Sequence, residues 1–246
     1  MTPSSLAEVL GRATAYGLIA TACVCVSCGG GDGATSGGPA DGGSTSTPGG
    51  GSSPTISEGL RIDIDVQWIA NFPSPASDAF FVGTLRPRDP ASPQAVLVGQ
   101  GSIGNGDTLV PAEGRSGLGD IGTGSTLLPH TGKIEVKYTT GSKTASGVVA
   151  DPMPWFTPVS IPAKSAHGQP VELTWRATPD AQCFVTAESW NSGKLADAGK
   201  MTIPASALAT PGSYAIVLSC EKTVALAPGV SSITSRVRLL TLLSVT

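Results

Sequence analysis

Residues 60–70 read Leu-Arg-Ile-Asp-Ile-Asp-Val-Gln-Trp-Ile-Ala. Leu60, Ile62, Ile64, Val66, Trp68 and Ala70 share one parity, and Arg61, Asp63, Asp65 and Gln67 hold the other. Side chains alternate across a strand, so this segment predicts a strand with one dry and one wet face. Such strands belong to antiparallel sheets that are covered on one side. The pattern returns at Ile134, Val136 and Tyr138, at Val171, Leu173 and Trp175, and at Tyr214, Ile216, Leu218 and Cys220. Thirty-two glycines and 20 prolines punctuate the chain too often for long helices. Alternating strands between turns predict an all-β fold built as a β-sandwich.

The first residues read differently. Ala13 to Gly31 is ATAYGLIATACVCVSCGGG, a short apolar run ending in cysteines and then glycine. An apolar stretch from Ala13 to Ser27 is shorter than the ~20 residues of a membrane-spanning helix. It has the length of the apolar core of a secretory signal. Arg12 is the only cation before it, and Glu8 offsets it. The segment resembles the signal peptide and lipobox of bacterial lipoproteins. Two registers fit: Cys25-Val26-Ser27-Cys28, followed at once by glycines, and Ala20-Thr21-Ala22-Cys23. The first is preferred, making Cys28 the lipidated residue, with Cys23 the alternative. The resemblance implies several acyl chains on that cysteine, hence a stable membrane anchor. Gly29, where an Asp would imply inner-membrane retention, implies the outer membrane. A buried helix holding Cys23, Cys25 and Cys28 as free thiols is the competing reading.

Gly29 to Pro54 lacks any large apolar residue, so it cannot offset the entropy of ordering. It predicts a disordered tether with a reach of roughly 25–30 Å. The expected organisation is therefore a signal at 1–27, a tether at 28–55, and folded parts at 56–152 and 153–246. The segment Asp151 to Pro158, DPMPWFTP, reads as a stiff linker between them. A single larger sandwich is the alternative.

Cys183 and Cys220 are the cysteines outside the signal, and each shares parity with apolar neighbours. In an oxidising compartment such a pair is expected to form a disulfide. From Val159 to Val245 the chain resembles an immunoglobulin-like domain of bacterial surface proteins. The residues that carry this are Val171-Glu-Leu-Thr-Trp175, Ala181-Gln-Cys183, Ser189-Trp190-Asn-Ser-Gly193, and Pro211-Gly-Ser-Tyr214 through Cys220. The first half reads as a diverged copy: Val66-Gln-Trp68-Ile-Ala70 echoes Leu173-Thr-Trp175-Arg-Ala177, but a Gly-rich insertion at Gly99–Pro129 interrupts it.

Few residues point to chemistry. Only 13% of the chain is charged, with a net charge of −3, so no basic patch suggests nucleic acid. His130 and His167 are the only histidines, and both sit in turn-like surroundings that suggest solvated residues. Gly114-Arg115-Ser116-Gly117-Leu118 fails the nucleophile-elbow pattern at its last position. Asp63 with Asp65, and the loop residues Asp107 and Asp120, could offer calcium ligands, but turn chemistry and a solvated strand face explain them as well. Gly117 to Gly124 lacks the lysine of a phosphate loop. Trp155, Phe156 and Trp190 are candidate sugar-stacking aromatics, with packing as the bland reading. No catalytic residue, metal or cofactor is expected. The partners expected are a membrane, through the anchor, and a protein or glycan of the envelope. The Gly99–Pro129 insertion is either a partner-contacting loop or disordered.

Overall fold

The opening alternation folds as read. The long strands are β1 (Arg61–Asn71), β2 (Phe80–Asp89), β3 (Gln100–Gly104), β4 (Leu109–Ala112), β5 (Lys133–Thr140) and β6 (Lys143–Ala150). They continue as β7 (Val171–Trp175), β8 (Gln182–Ala187), β9 (Lys200–Ile203), β10 (Gly212–Ala227) and β11 (Ser231–Val245). The computed structural model describes residues 54–115, 120–227 and 231–246. The expected signal, Cys23, Cys28 and the tether as far as residue 53 lie outside them. Among the described residues no helix is long and apolar enough to cross a membrane. The fold is all-β.

One large sheet carries the order β8-β10-β11-β1-β2, with short segments at both flanks. Its centre is a parallel pairing of β1 with β11, in which Asp63 faces Ser232 and Asn71 faces Leu240. The neighbouring pairings are antiparallel: β1 with β2, β10 with β11, and β8 with β10. A smaller sheet orders as Thr55–Ile56, β6, β5, β3, β4, and a third as Val159–Ser160, β7, β9. Every even residue from Leu60 to Ala70 is at most 3% exposed. That face joins one continuous core with Phe81, Ile103, Ile134 and Tyr138, and with Leu173, Trp175, Ile216 and Val237. Glycines set the sheet-to-sheet distance. A Cβ on Gly83 would lie 2.8 Å from Ile103, and one on Gly101 would lie 2.5 Å from Leu85.

Two expectations change. The parts expected at 56–152 and 153–246 share the large sheet through β1 and β11, inside one compact unit. The stretch expected as a stiff linker is packed: Met153 and Phe156 are buried, Trp155 contacts His130, and Phe156 meets Trp175 edge-on. The Gly99–Pro129 insertion is also structural in its described parts. It supplies β3 and β4 to one sheet and the short strands Ile121–Gly122 and Thr126–Leu127 to the edge of β2. Buried Asn105 shapes its turn, accepting from the Asp107 and Thr108 amides and donating to the Pro129 carbonyl.

The expected disulfide joins Cys183 to Cys220. The two are direct cross-strand neighbours on β8 and β10, with Cα atoms 4.0 Å apart. The bond therefore lies within one sheet, whereas the immunoglobulin pattern joins two sheets.

Candidate functional site

The wet face of the large sheet is set by the polar parity of its strands. β1 presents Arg61, Asp63, Asp65, Gln67 and Ile69, and the register aligns them with residues of β2 and β11. The charges form a ladder. Asp63 pairs with Arg61 at 3.0 Å and accepts from Ser232 at 2.7 Å. Arg86 reaches Asp65 at 3.8 Å and Asp120 at 3.0 Å, and Arg88 reaches Asp120 at 2.8 Å. Glu221 is held by Lys194 and Arg236. Burial pushes the Asp65 carboxyl above its ordinary value, and the charges of Arg236 and Arg86 only partly oppose this. Burial would raise Glu221 as well, but hydrogen bonds from Lys194 and Arg236 outweigh it and leave that carboxyl low.

Next to the ladder the same face turns apolar. One row runs Phe184, Ser219, Arg238, Ile69, Phe80 and Leu127 across successive strands. Phe80 is 44% exposed, Leu127 62%, and Leu242, further along β11, 49%. Within this row Ser219 Oγ and Arg238 Nε are buried and make no hydrogen bond. Burial and the neighbouring Arg236 lower the Arg238 pKa. An exposed aromatic and aliphatic row with an incompletely paired arginine, bordered by charges, has the composition of a protein-binding surface.

A groove of about 460 Å³ opens along the free edge of β9. It is lined by Trp190, Leu195, Met201, Glu172, Lys200 and Thr202 among others. Trp190 is half-buried, so the candidate sugar-stacking residue borders solvent, while Trp155 and Phe156 pack inward.

The histidines do not meet. His167 lies by the chain end, with Nδ1 3.4 Å from the Thr246 carbonyl. His130, expected in solvent, has a side chain only 4% exposed. It packs edge-on against Trp68 at 4.9 Å and tilted against Trp155 at 5.6 Å. Its Nε2 approaches Asp151 Oδ2 to 3.2 Å without making a directed hydrogen bond. That oxygen instead accepts from Trp68 Nε1 at 2.8 Å. The adjacent Thr131 hydroxyl is committed to the Asn105 carbonyl. The pair is buried and its carboxylate is occupied, so it serves packing better than proton transfer to a substrate.

A similar tryptophan–carboxylate contact recurs in the second half. Asp197 accepts from Trp175 Nε1 at 2.7 Å, from Thr178 N at 2.8 Å and from Gly199 N at 2.9 Å. It also lies near the Cys183 and Cys220 sulfurs, but these are bonded to each other. The candidate calcium carboxylates Asp63, Asp65 and Asp120 are engaged by arginines, and Asp107 lies in the Asn105 turn.

No protein family and no curated relative matches this sequence.

The sequence flagged Trp190 and the polar parity of residues 61–67. It missed Arg236, Arg238, Phe80 and Leu127, because their alignment depends on strand register.

Proposed function

We propose that this chain is a non-catalytic binding protein of the bacterial cell envelope. A lipid on Cys28, or on Cys23 in the alternative register, anchors it, most consistently with the outer membrane. The Gly/Ser-rich segment is the tether, and the all-β unit, immunoglobulin-like in its second half, is the binding body. It serves adhesion or assembly by docking a protein partner on the open face of the large sheet. The observation that carries this reading is the row Ile69, Phe80, Leu127 and Arg238 on that face, bordered by the arginine–carboxylate ladder. The buried state of His130 also favours binding over turnover.

The test places a photo-crosslinking residue at Phe80, at Leu242 or at Thr139, which is exposed on the other sheet, in the membrane-attached chain. Discrete adducts are expected from positions 80 and 242 and not from 139. Phe80→Asp should abolish the adduct formed from position 242. Adducts of equal yield at all three positions, or none at any, defeat the docking-face reading.

A further inference from the structure

We infer that the partner docked on the open face of the large sheet presents a carboxylate to Arg238, from a protein segment whose flanking residues are apolar. This rests on the docking face proposed above and names the chemistry of its partner. Arg238 stands in the middle of the apolar row, across from Ser219 on β10 and from Ile69 on β1. It is half-buried, and among the described residues it makes no hydrogen bond or ion pair. Its Nε and the Ser219 Oγ, on directly opposed residues, are both buried without a partner. A guanidinium has five N–H donors and no acceptor, so an unpaired one among apolar neighbours lacks an anion.

The face does not supply that anion itself. Asp63 is held by Arg61 and Ser232, Asp65 by Arg86, Asp120 by Arg86 and Arg88, and Glu221 by Lys194 and Arg236. Glu188, at the far end of β8, accepts from the Ala215 amide. The ladder with Arg238 thus sets six cations against four carboxylates, an excess that complements an acidic partner. Glu221 and Asp65 attract Arg238 without pairing with it, and burial together with repulsion from Arg236 outweighs them. The row supplies the apolar half of the site: Ile69, Phe80 and Leu127 lie to one side of Arg238, and Phe184 lies beyond Ser219 on the other. A partner that covers this row excludes water, and an ion-paired hydrogen bond strengthens as water leaves. An anionic membrane or a phosphate group binds through several free cations at once. Here one is free, and a carboxylate matches a single planar guanidinium.

The probes are 3-phenylpropionate, which joins a carboxylate to an apolar ring, and its neutral amide. Each is titrated into the full chain in detergent while the Arg238 Nε–H resonance is followed by NMR. The carboxylate should shift that resonance with a Kd of about 1–10 mM, the reach of a ligand of this size, and the amide should not. No shift by about 50 mM, or an equal shift by the amide, overturns the proposal. So does a shift by inorganic phosphate, or by phosphatidylglycerol in the micelle, where the carboxylate gives none. In the membrane-attached chain, Arg238→Met should cut the adduct from position 242 about tenfold or more, as for loss of a hydrogen bond between charged groups. Arg238→Lys should keep part of it, since the charge remains but the planar fork is gone. Arg238→Met should leave the urea midpoint unchanged or raise it, because the free chain gives the guanidinium no partner to lose. A fall in the midpoint assigns Arg238 to the fold and overturns the proposal. An adduct that Phe80→Asp abolishes and Arg238→Met leaves intact overturns it too, with the docking face standing. No adduct from either position in the parent chain defeats the docking face and this inference together.

Discussion

Replacing Asp151 by alanine should destabilise the whole β unit. The carboxylate sits at the start of the segment that joins the two halves, and its side chain is fully buried. Oδ2 accepts from Trp68 Nε1 at 2.8 Å, and Oδ1 accepts from the Met153 amide at 2.8 Å. Alanine leaves two donors in the core without an acceptor. Each orphaned group costs about 1–3 kcal/mol, so for two the expected loss is about 2–6 kcal/mol. That is a large share of the ~5–15 kcal/mol that holds a typical domain together. Asparagine keeps one acceptor oxygen, so Asp151→Asn should lose about half as much. The assay is urea unfolding followed by tryptophan fluorescence and far-ultraviolet circular dichroism. Both signals should shift together, because β1 and β11 tie the halves into one sheet. The reasoning is refuted if Asp151→Ala loses less than about 1 kcal/mol at unchanged m-value. Two separated transitions in the parent chain would refute the single-unit reading as well.

Removing the disulfide as Cys183→Ala with Cys220→Ala should cost about 2–5 kcal/mol. The loss should appear across the whole unit, since β10 pairs with β11 and β11 with β1; an unreduced digest lacking the Cys183–Cys220 crosslinked peptide counts against the bond. Asp65→Asn should raise stability at neutral pH. Its folded pKa is raised by burial, so the folded chain keeps a proton that the unfolded chain loses above the ordinary 3.8, and stability falls as pH rises through that window. The gain should vanish below pH 3.8, and a loss at neutral pH would contradict it. Glu221→Gln should behave oppositely. Its folded pKa is lowered, so its contribution is present above the ordinary 4.5 and disappears as pH falls, which denaturation at several pH values will read. Cys28→Ala should move the protein from the membrane to the soluble fraction, with the mass of the mature N-terminus deciding between Cys28 and Cys23. An unmodified Met1 on the mature protein excludes the anchor.

Periodicity alone determined the strands. Val171–Trp175 and the alternations at Leu60–Ala70, Ile134–Tyr138 and Tyr214–Cys220 are local, because a sheet buried on one face imposes a period of two on the residues themselves. Sequence also paired Cys183 with Cys220, since parity put both on a buried face. Residues 1–53, where the anchor and tether were read, rest on sequence alone. The tertiary structure decided what is joined to what. Nothing local in Asp63–Asn71 announces that it lies parallel to Ser232–Leu240, a pairing across most of the chain. That pairing merged two expected domains into one and turned DPMPWFTP from a spacer into core. It also took His130 from an apparent surface turn to a place between Trp68 and Trp155, because burial depends on neighbours distant in sequence. The binding face follows the same rule. Phe80, Ile69, Arg238 and Ser219 come from four strands, and only cross-strand register, which is fixed by long-range packing, puts them in one row.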